Sequence, residues 1–186
     1  MNDDPALLVV VAGRPGTGKT TLAGALSARL GATCLRVDAV ETALRRAGTD
    51  RPGVAGYAVA HELAAANLRL GGHVVVDAVC PVPDSRSAWR TTAEGAQARL
   101  VQLVTVLPDP VAHERRVRER APDLVGQRVP TWEDVVRQPW EPWDSRRDGS
   151  AVAVDTTSRD AALAAAWAAV ERAVGPQPLR PRGRRT

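Results

Sequence analysis

The chain has no phenylalanine, no isoleucine, one tyrosine and one methionine among 186 residues. A length of this order is one domain with room for a proper core. That core must therefore be built from Ala, Val and Leu with a few tryptophans. Cysteine is just as scarce. Cys34 and Cys80 match no metal-ligand spacing, which excludes a zinc site or a disulfide framework, and both are expected to be inert packing residues. No apolar run reaches membrane length and no signal peptide is recognisable, so a soluble, reduced, cytoplasmic protein with no membrane partner is expected. Lysine is rarer still: Lys19 is the only one, every other base being arginine.

The pI near 10.0 suggests a nucleic-acid binder, but the charge is badly placed for that. From Gly175 onward the chain carries Arg180, Arg182, Arg184 and Arg185 and no acid. Without those four the 25 basic residues fall to 21, equal to the 21 acids. The expected division is a folded body over 1–175, formally neutral, and a basic, disordered tail over 176–186.

What the chain does have is Gly13-Arg14-Pro15-Gly16-Thr17-Gly18-Lys19-Thr20, followed by Thr21. This fits G-x-x-x-x-G-K-[ST], the phosphate-binding P-loop, whose glycines let successive N–H groups cradle a nucleotide's phosphates. Lys19 then reaches the β- and γ-phosphates and the Thr20 hydroxyl ligates Mg²⁺. The context agrees. Ala6 to Ala12 is a continuous apolar run, as in a strand buried on both faces, and Leu22, Leu26 and Leu30 recur at helical spacing after the loop. The phosphates would sit on a helix N-terminus. The expected ligands are ATP and Mg²⁺.

The remaining chain alternates strand and helix. Strands are expected over 33–37, 73–77, 100–107 and 151–155, with helices over 39–46, 54–70 and 85–97. Asp109-Pro110 opens a further helix carrying Arg115, Arg116, Arg118 and Arg120, and Thr157 or Ser158 caps a last one with Leu163, Trp167, Val170 and Val174 on one face. Between them, 121–149 is polar and bears Trp132, Trp140 and Trp143, an excursion with a short helix over 132–137. The fold implied is α/β, a five-stranded parallel sheet sandwiched by helices with a lid over about 116–149 before the last strand. Ligands bind at the strands' C-terminal edges, where the P-loop, Asp38, Asp77 and Asp155 all fall.

Phosphoryl transfer is mainly positioning plus charge neutralisation. Asp38, at the end of the second strand, would accept the proton of an attacking hydroxyl, cap the helix from Ala39, or do both. Asp77 closes an apolar strand and is the candidate metal acid. Arg116 and Arg120, four apart, would share a helix face and close over the transferred group, unless they form a solvated face with Glu114 and Glu119. Arg128 and Arg137 are further lid candidates. Tyr57, Arg86 and Trp89 either line an acceptor pocket or pack, His61 packs or lies at the surface, and the three excursion tryptophans anchor the lid or face an acceptor.

These residues resemble the small P-loop kinases that share the label AAA-type ATPase, whose relatives include chloramphenicol phosphotransferase, gluconate kinase, adenylylsulfate kinase and the polynucleotide kinase domain. The resemblance spans Leu7 to about Val174. Val37-Asp38-Ala39-Val40-Glu41-Thr42-Ala43-Leu44 is similar to the segment of chloramphenicol phosphotransferase that holds its catalytic aspartate. Val75-Val76-Asp77 and the stretch from Asp109 to Arg120 are similar to the family's metal-acid strand and lid helix. Glu141-Pro142 followed by Val154-Asp155-Thr156 is similar to the approach to the last strand in adenylylsulfate kinase. The resemblance implies Asp38 as general base, Arg116 and Arg120 as lid arginines, and Asp155-Thr156 near the adenine. One departure matters. Polynucleotide kinases carry Asp-x-x-Arg where this chain has Asp38 and Glu41, which argues, with the neutral body, against a nucleic-acid acceptor. The expected function is transfer of a γ-phosphate to a hydroxyl of a small molecule, an antibiotic or other metabolite. The rivals are a polynucleotide 5′-hydroxyl kinase and a nucleotide-dependent switch with no acceptor.

Overall fold

A computed structural model describes residues 5–175. The expected basic tail lies outside the described residues. The elements run β1 (Leu7–Gly13), α1 (Lys19–Leu30), β2 (Thr33–Arg36), α2 (Val37–Arg46), α3 (Ala55–Arg69), β3 (Val74–Asp77), α4 (Pro83–Gly95), β4 (Arg99–Val106), α5 (Pro110–Arg118), α6 (Trp132–Arg137), α7 (Ser145–Asp148), β5 (Val152–Asp155) and α8 (Arg159–Val174). The five strands form one parallel sheet in the order β2-β3-β1-β4-β5. Helices cover both faces of this parallel sheet, as the alternating pattern implies.

The sheet explains the apolar run of β1. It is the central strand, paired on both edges and covered on both faces, so all seven residues are buried. Leu7, Val9 and Val11 face a core shared with α1 and α8, whereas Leu8, Val10 and Ala12 face α3 and α4. Each fully buried Val or Leu of this strand contributes about 1.5–3 kcal/mol by leaving water. The scarcity of large apolar residues is met by close approach instead: α8 buries Ala162, Ala166, Ala169 and Val170. Of the four residues expected on one face, Val170 is in the core and Leu163, Trp167 and Val174 pack partly buried against it.

Several expectations need correction. β2 ends at Arg36, and Val37 turns down into the core as the first residue of α2. Asp38 therefore sits in the first turn of α2, and the capping position belongs to Arg36. Pro83 starts α4 two residues early, consistent with a proline at the first helical position. α5 stops at Arg118, so Arg120 lies beyond the helix. Cys80 is buried, but Cys34 is exposed because β2 is an edge strand. Ser158 is the cap of α8, and α6 spans the expected residues behind a capping box between Thr131 and Asp134. Among the described residues no helix is long and apolar enough to cross a membrane.

Candidate active site

The loop between β1 and α1 meets a helix end built for an anion. Gly18 occupies the capping position of α1 in left-handed geometry, and no side chain caps the first turn. The free amides of that turn, with the helix dipole, face the loop. Gly16 has φ +82, and a Cβ there would stand 2.4 Å from Val117 Cγ2, so both conformation and space require glycine. Lys19 is buried and donates to the Arg14 carbonyl at 2.9 Å. Burial lowers its pKa, against the opposing charges of Asp77 and Asp38. Thr17 Oγ1 also donates to the Arg14 carbonyl, at 2.7 Å.

At the end of β3, Asp77 is buried and accepts from Thr20 Oγ1 at 2.6 Å. Burial raises its pKa, opposed by Lys19 and the Thr20 hydrogen bond. A buried carboxylate beside a hydroxyl is a hard-oxygen pair suited to Mg²⁺, which takes one or two protein oxygens and completes its shell with water and phosphate. Among the described residues no group of three or more His, Cys, Asp or Glu could hold a metal ion between them.

Two cavities flank the loop. The first, about 350 Å³, is lined by Lys19, Thr20 and Asp77 and continues to Asp38, Glu41, Tyr57, Arg120, Gln127 and Arg128. The second, about 320 Å³, lies beyond Gly18 and Thr21, with Leu22, Ala25, Ala162 and Leu163 as apolar walls and Arg116, Thr156, Thr157 and Arg159 at its rim. Arg116 and Arg120 thus part company, a correction to the shared face expected of them. Arg116 donates to the Thr156 carbonyl at 3.0 Å in the second cavity, while Arg120 approaches Asp38 Oδ2 at 3.6 Å in the first. The end of α5 between them is the reason. Thr156 lines the second cavity, but the Asp155 carboxylate turns away to accept from Thr157. Arg128 lines the first cavity and Arg137 lines neither.

Sequence reasoning missed Arg36. It grips Asp38 with two parallel bonds, Nε to Oδ1 at 3.0 Å and Nη2 to Oδ2 at 2.9 Å, and pairs the lid residue Asp123 through both terminal nitrogens. The Arg36 bonds lower the pKa of Asp123. Gln127 Nε2 adds a bond to Asp38 Oδ2 at 2.8 Å. The Asp38 carboxylate is therefore oriented by a fork on one side and capped by a neutral lid amide on the other.

Two more contacts join lid and loop. Arg14 Nη1 donates to the Val135 carbonyl at 2.9 Å and its guanidinium lies 5.4 Å from the Trp140 ring. His113 Nε2 donates to the Pro15 carbonyl at 2.7 Å, with Trp132 edge-on to its ring. Behind them Arg86 and Asp148 form a solvent-free ion pair at 2.7 Å, and Arg86 also lies 4.7 Å from Trp143 and 5.8 Å from Trp140. The excursion tryptophans are anchors. Of the possible acceptor-pocket residues only Tyr57 lines the cavity; Arg86 and Trp89 are fully buried, and His61 stacks on Trp89 with ring centroids 3.8 Å apart.

The family model described as AAA domain matches residues 8–138. The chain belongs to this family. Solved structures share the fold at low identity. A sugar kinase from Janibacter sp. aligns over 93% of this chain and 100% of its own, with 20% identity and a TM-score of 0.66. Kti12 from Chaetomium thermophilum, solved with ADP-AlF3, covers 90% and 99% at 20% identity and 0.63. The APS kinase CysC of Mycobacterium tuberculosis, solved with AMPPNP and APS, covers 89% and 98% at 19% identity and 0.62. No curated protein matches the sequence.

Proposed function

We propose that this family member is a P-loop kinase that transfers the γ-phosphate of ATP to a hydroxyl group of a small molecule. The observation that carries the proposal is the pair of cavities on either side of an uncapped helix N-terminus, one with apolar walls and one ending at Asp38. The base and ribose would occupy the apolar-walled cavity, the phosphates the loop amides and Lys19, and the acceptor the space before Asp38. The neighbours solved with AMPPNP or ADP-AlF3 support a nucleotide in such a site. Thr20 and Asp77 would hold Mg²⁺, which would neutralise charge on the phosphates.

In the transfer, the acceptor oxygen bonds to the γ-phosphorus, the bond to the β–γ bridging oxygen breaks, and ADP leaves. The hydroxyl proton passes to Asp38, which Arg36 holds in line. Gln127 occupies Asp38 Oδ2, so the acceptor hydroxyl replaces that amide when it binds. Arg120 reaches towards the same carboxylate and Arg116 towards the nucleotide cavity, a division that lets one arginine serve each end.

A second reading has its own observation. The lid contacts that satisfy Asp38 would suit a switch in which bound nucleotide orders the 119–149 segment for a partner, with no acceptor at all. A transfer assay with γ-labelled ATP and Mg²⁺ separates them. Label on a small metabolite or antibiotic is expected. Label on a 5′-hydroxyl oligonucleotide, with strong salt dependence, would make the chain a polynucleotide kinase. Slow release of phosphate alone, whatever the pool, would favour the switch.

A further inference from the structure

The cavity in front of Asp38 is divided by charge. Its cations, Lys19, Arg120 and Arg128, stand at the start of α1 and on the lid after α5. Its carboxylates belong to three places. Asp77 is bonded to Thr20, Asp134 is engaged in the capping box of α6, and Asp38 and Glu41 stand together on α2. Three residues apart, these two share a helix face with Cβ atoms about 5–6 Å from each other.

Glu41 reaches the cavity across a gap left in the next helix. A Cβ on Gly56 of α3 would stand 2.5 Å from Glu41 Cγ, so the missing side chain is the space in which Glu41 lies. Once there, the carboxylate is poorly compensated. Among the described residues its single ion pair is with Arg45 at 3.4 Å, and partial burial raises its pKa. Tyr57, one residue after Gly56, lines the same cavity. A half-buried carboxylate in a cavity that an aromatic residue also lines suits an organic cation. With a nucleotide in place, its phosphates face Lys19 and the lid; Asp38 is held by Arg36 and approached by Arg120, so Glu41 is the α2 carboxylate left for a charge on the acceptor. An anionic acceptor would meet Glu41, with Arg120 drawn to Asp38 and Arg128 as the remaining cation of the lining.

Resting on the kinase reading, we propose that the acceptor is an amine-bearing polyol, an amino sugar or aminocyclitol, with its reacting hydroxyl at Asp38 and its ammonium at Glu41. The α2 turn sets the distance between the two groups it reads. N-acylation of the amine removes the charge and keeps the skeleton, so it isolates the Glu41 interaction without altering the protein.

The test is calorimetric titration of the full chain, loaded with Mg²⁺ and AMPPNP, with glucosamine, 2-deoxystreptamine and kanamycin. Each is run against its N-acetylated form, with gluconate as the anionic comparison. Amine-bearing compounds are expected to bind roughly 10–100-fold tighter than their N-acetylated forms, and E41Q to remove that preference. No preference for the amine in any pair, or tighter binding of gluconate, would overturn the proposal, as would a preference that survives E41Q in a variant of unchanged melting temperature. Transfer from γ-labelled ATP to the same compounds is read in parallel. Amines that bind with the Glu41-dependent preference but take no label would uphold the cation site and sink the kinase reading. Label on gluconate or on the N-acetylated forms in preference to the amines would uphold the kinase and sink the amine.

Discussion

Replacing Asp148 with asparagine strips the charge from the most buried ion pair of the molecule while keeping its shape. Arg86 and Asp148 are 0% and 1% exposed. Arg86 also donates to the carbonyls of Cys80, Pro81, Glu141 and Pro142, so it ties the loop after β3 to the end of the excursion. Carbonyls can take its protons but cannot balance its charge. Removing one partner of such a pair costs about 3–5 kcal/mol, because the other is left buried and uncompensated. At about 2–4 °C per kcal/mol for a domain of this size, D148N should melt roughly 6–20 °C lower. The pH dependence has a definite sign. Burial alone would raise the Asp148 pKa, but hydrogen bonds from Arg147, the Asp144 amide and Arg86 hold it well below the ordinary aspartate value. A depressed pKa stabilises above the unfolded value, about 3.9, and the contribution is lost as pH falls towards the folded one. The gap between the unaltered protein and D148N should be full at pH 7 and narrow below about pH 4. The double change R86M/D148L leaves no orphan charge but takes the donor from the four carbonyls, so it should recover only part of the loss. Thermal and urea melts across pH decide it. A D148N cost under about 1 kcal/mol at pH 7, or a gap that ignores pH, would refute the argument.

D38N should lower turnover roughly 10²–10⁴-fold while AMPPNP affinity, read by calorimetry, stays nearly constant; unchanged turnover would remove Asp38 as the base. G16A forces a side chain onto Val117 from a left-handed backbone, and it should weaken nucleotide binding at least tenfold, by roughly 1.4 kcal/mol or more. R116A should raise the KM for ATP with little change in kcat for a saturated enzyme, because Arg116 lines the cavity remote from Asp38. A fall in kcat with KM unmoved would place Arg116 on the transferred phosphate instead.

The sheet and the phosphate loop were legible because their signals are local: a seven-residue apolar strand, a spaced set of glycines, a helix period. The same local logic failed where the chain closes on itself. Arg36 reads as one more surface arginine, and its partner Asp123 lies 87 residues away, beyond any periodicity. Packing was one of the two readings of Arg86, but its partner Asp148 lies 62 residues away and nothing in its neighbours announces it. The end of α5 at Arg118 has no glycine or proline to mark it, so an i, i+4 pair on paper became two residues facing different cavities. α7 is a single turn and carries no period to detect. Asp38 was found, but one residue of error in β2 misread how it is held.

The solitary lysine has a consequence for the chain's chemistry in a cell. Any acylation directed at a lysine side chain has one address among these 186 residues, the buried amine proposed to meet the phosphates. There is no decoy on the surface to dilute the effect. The extent of such a modification would equal the fraction of molecules disabled, and protection by nucleotide would show directly as residues left unlabelled.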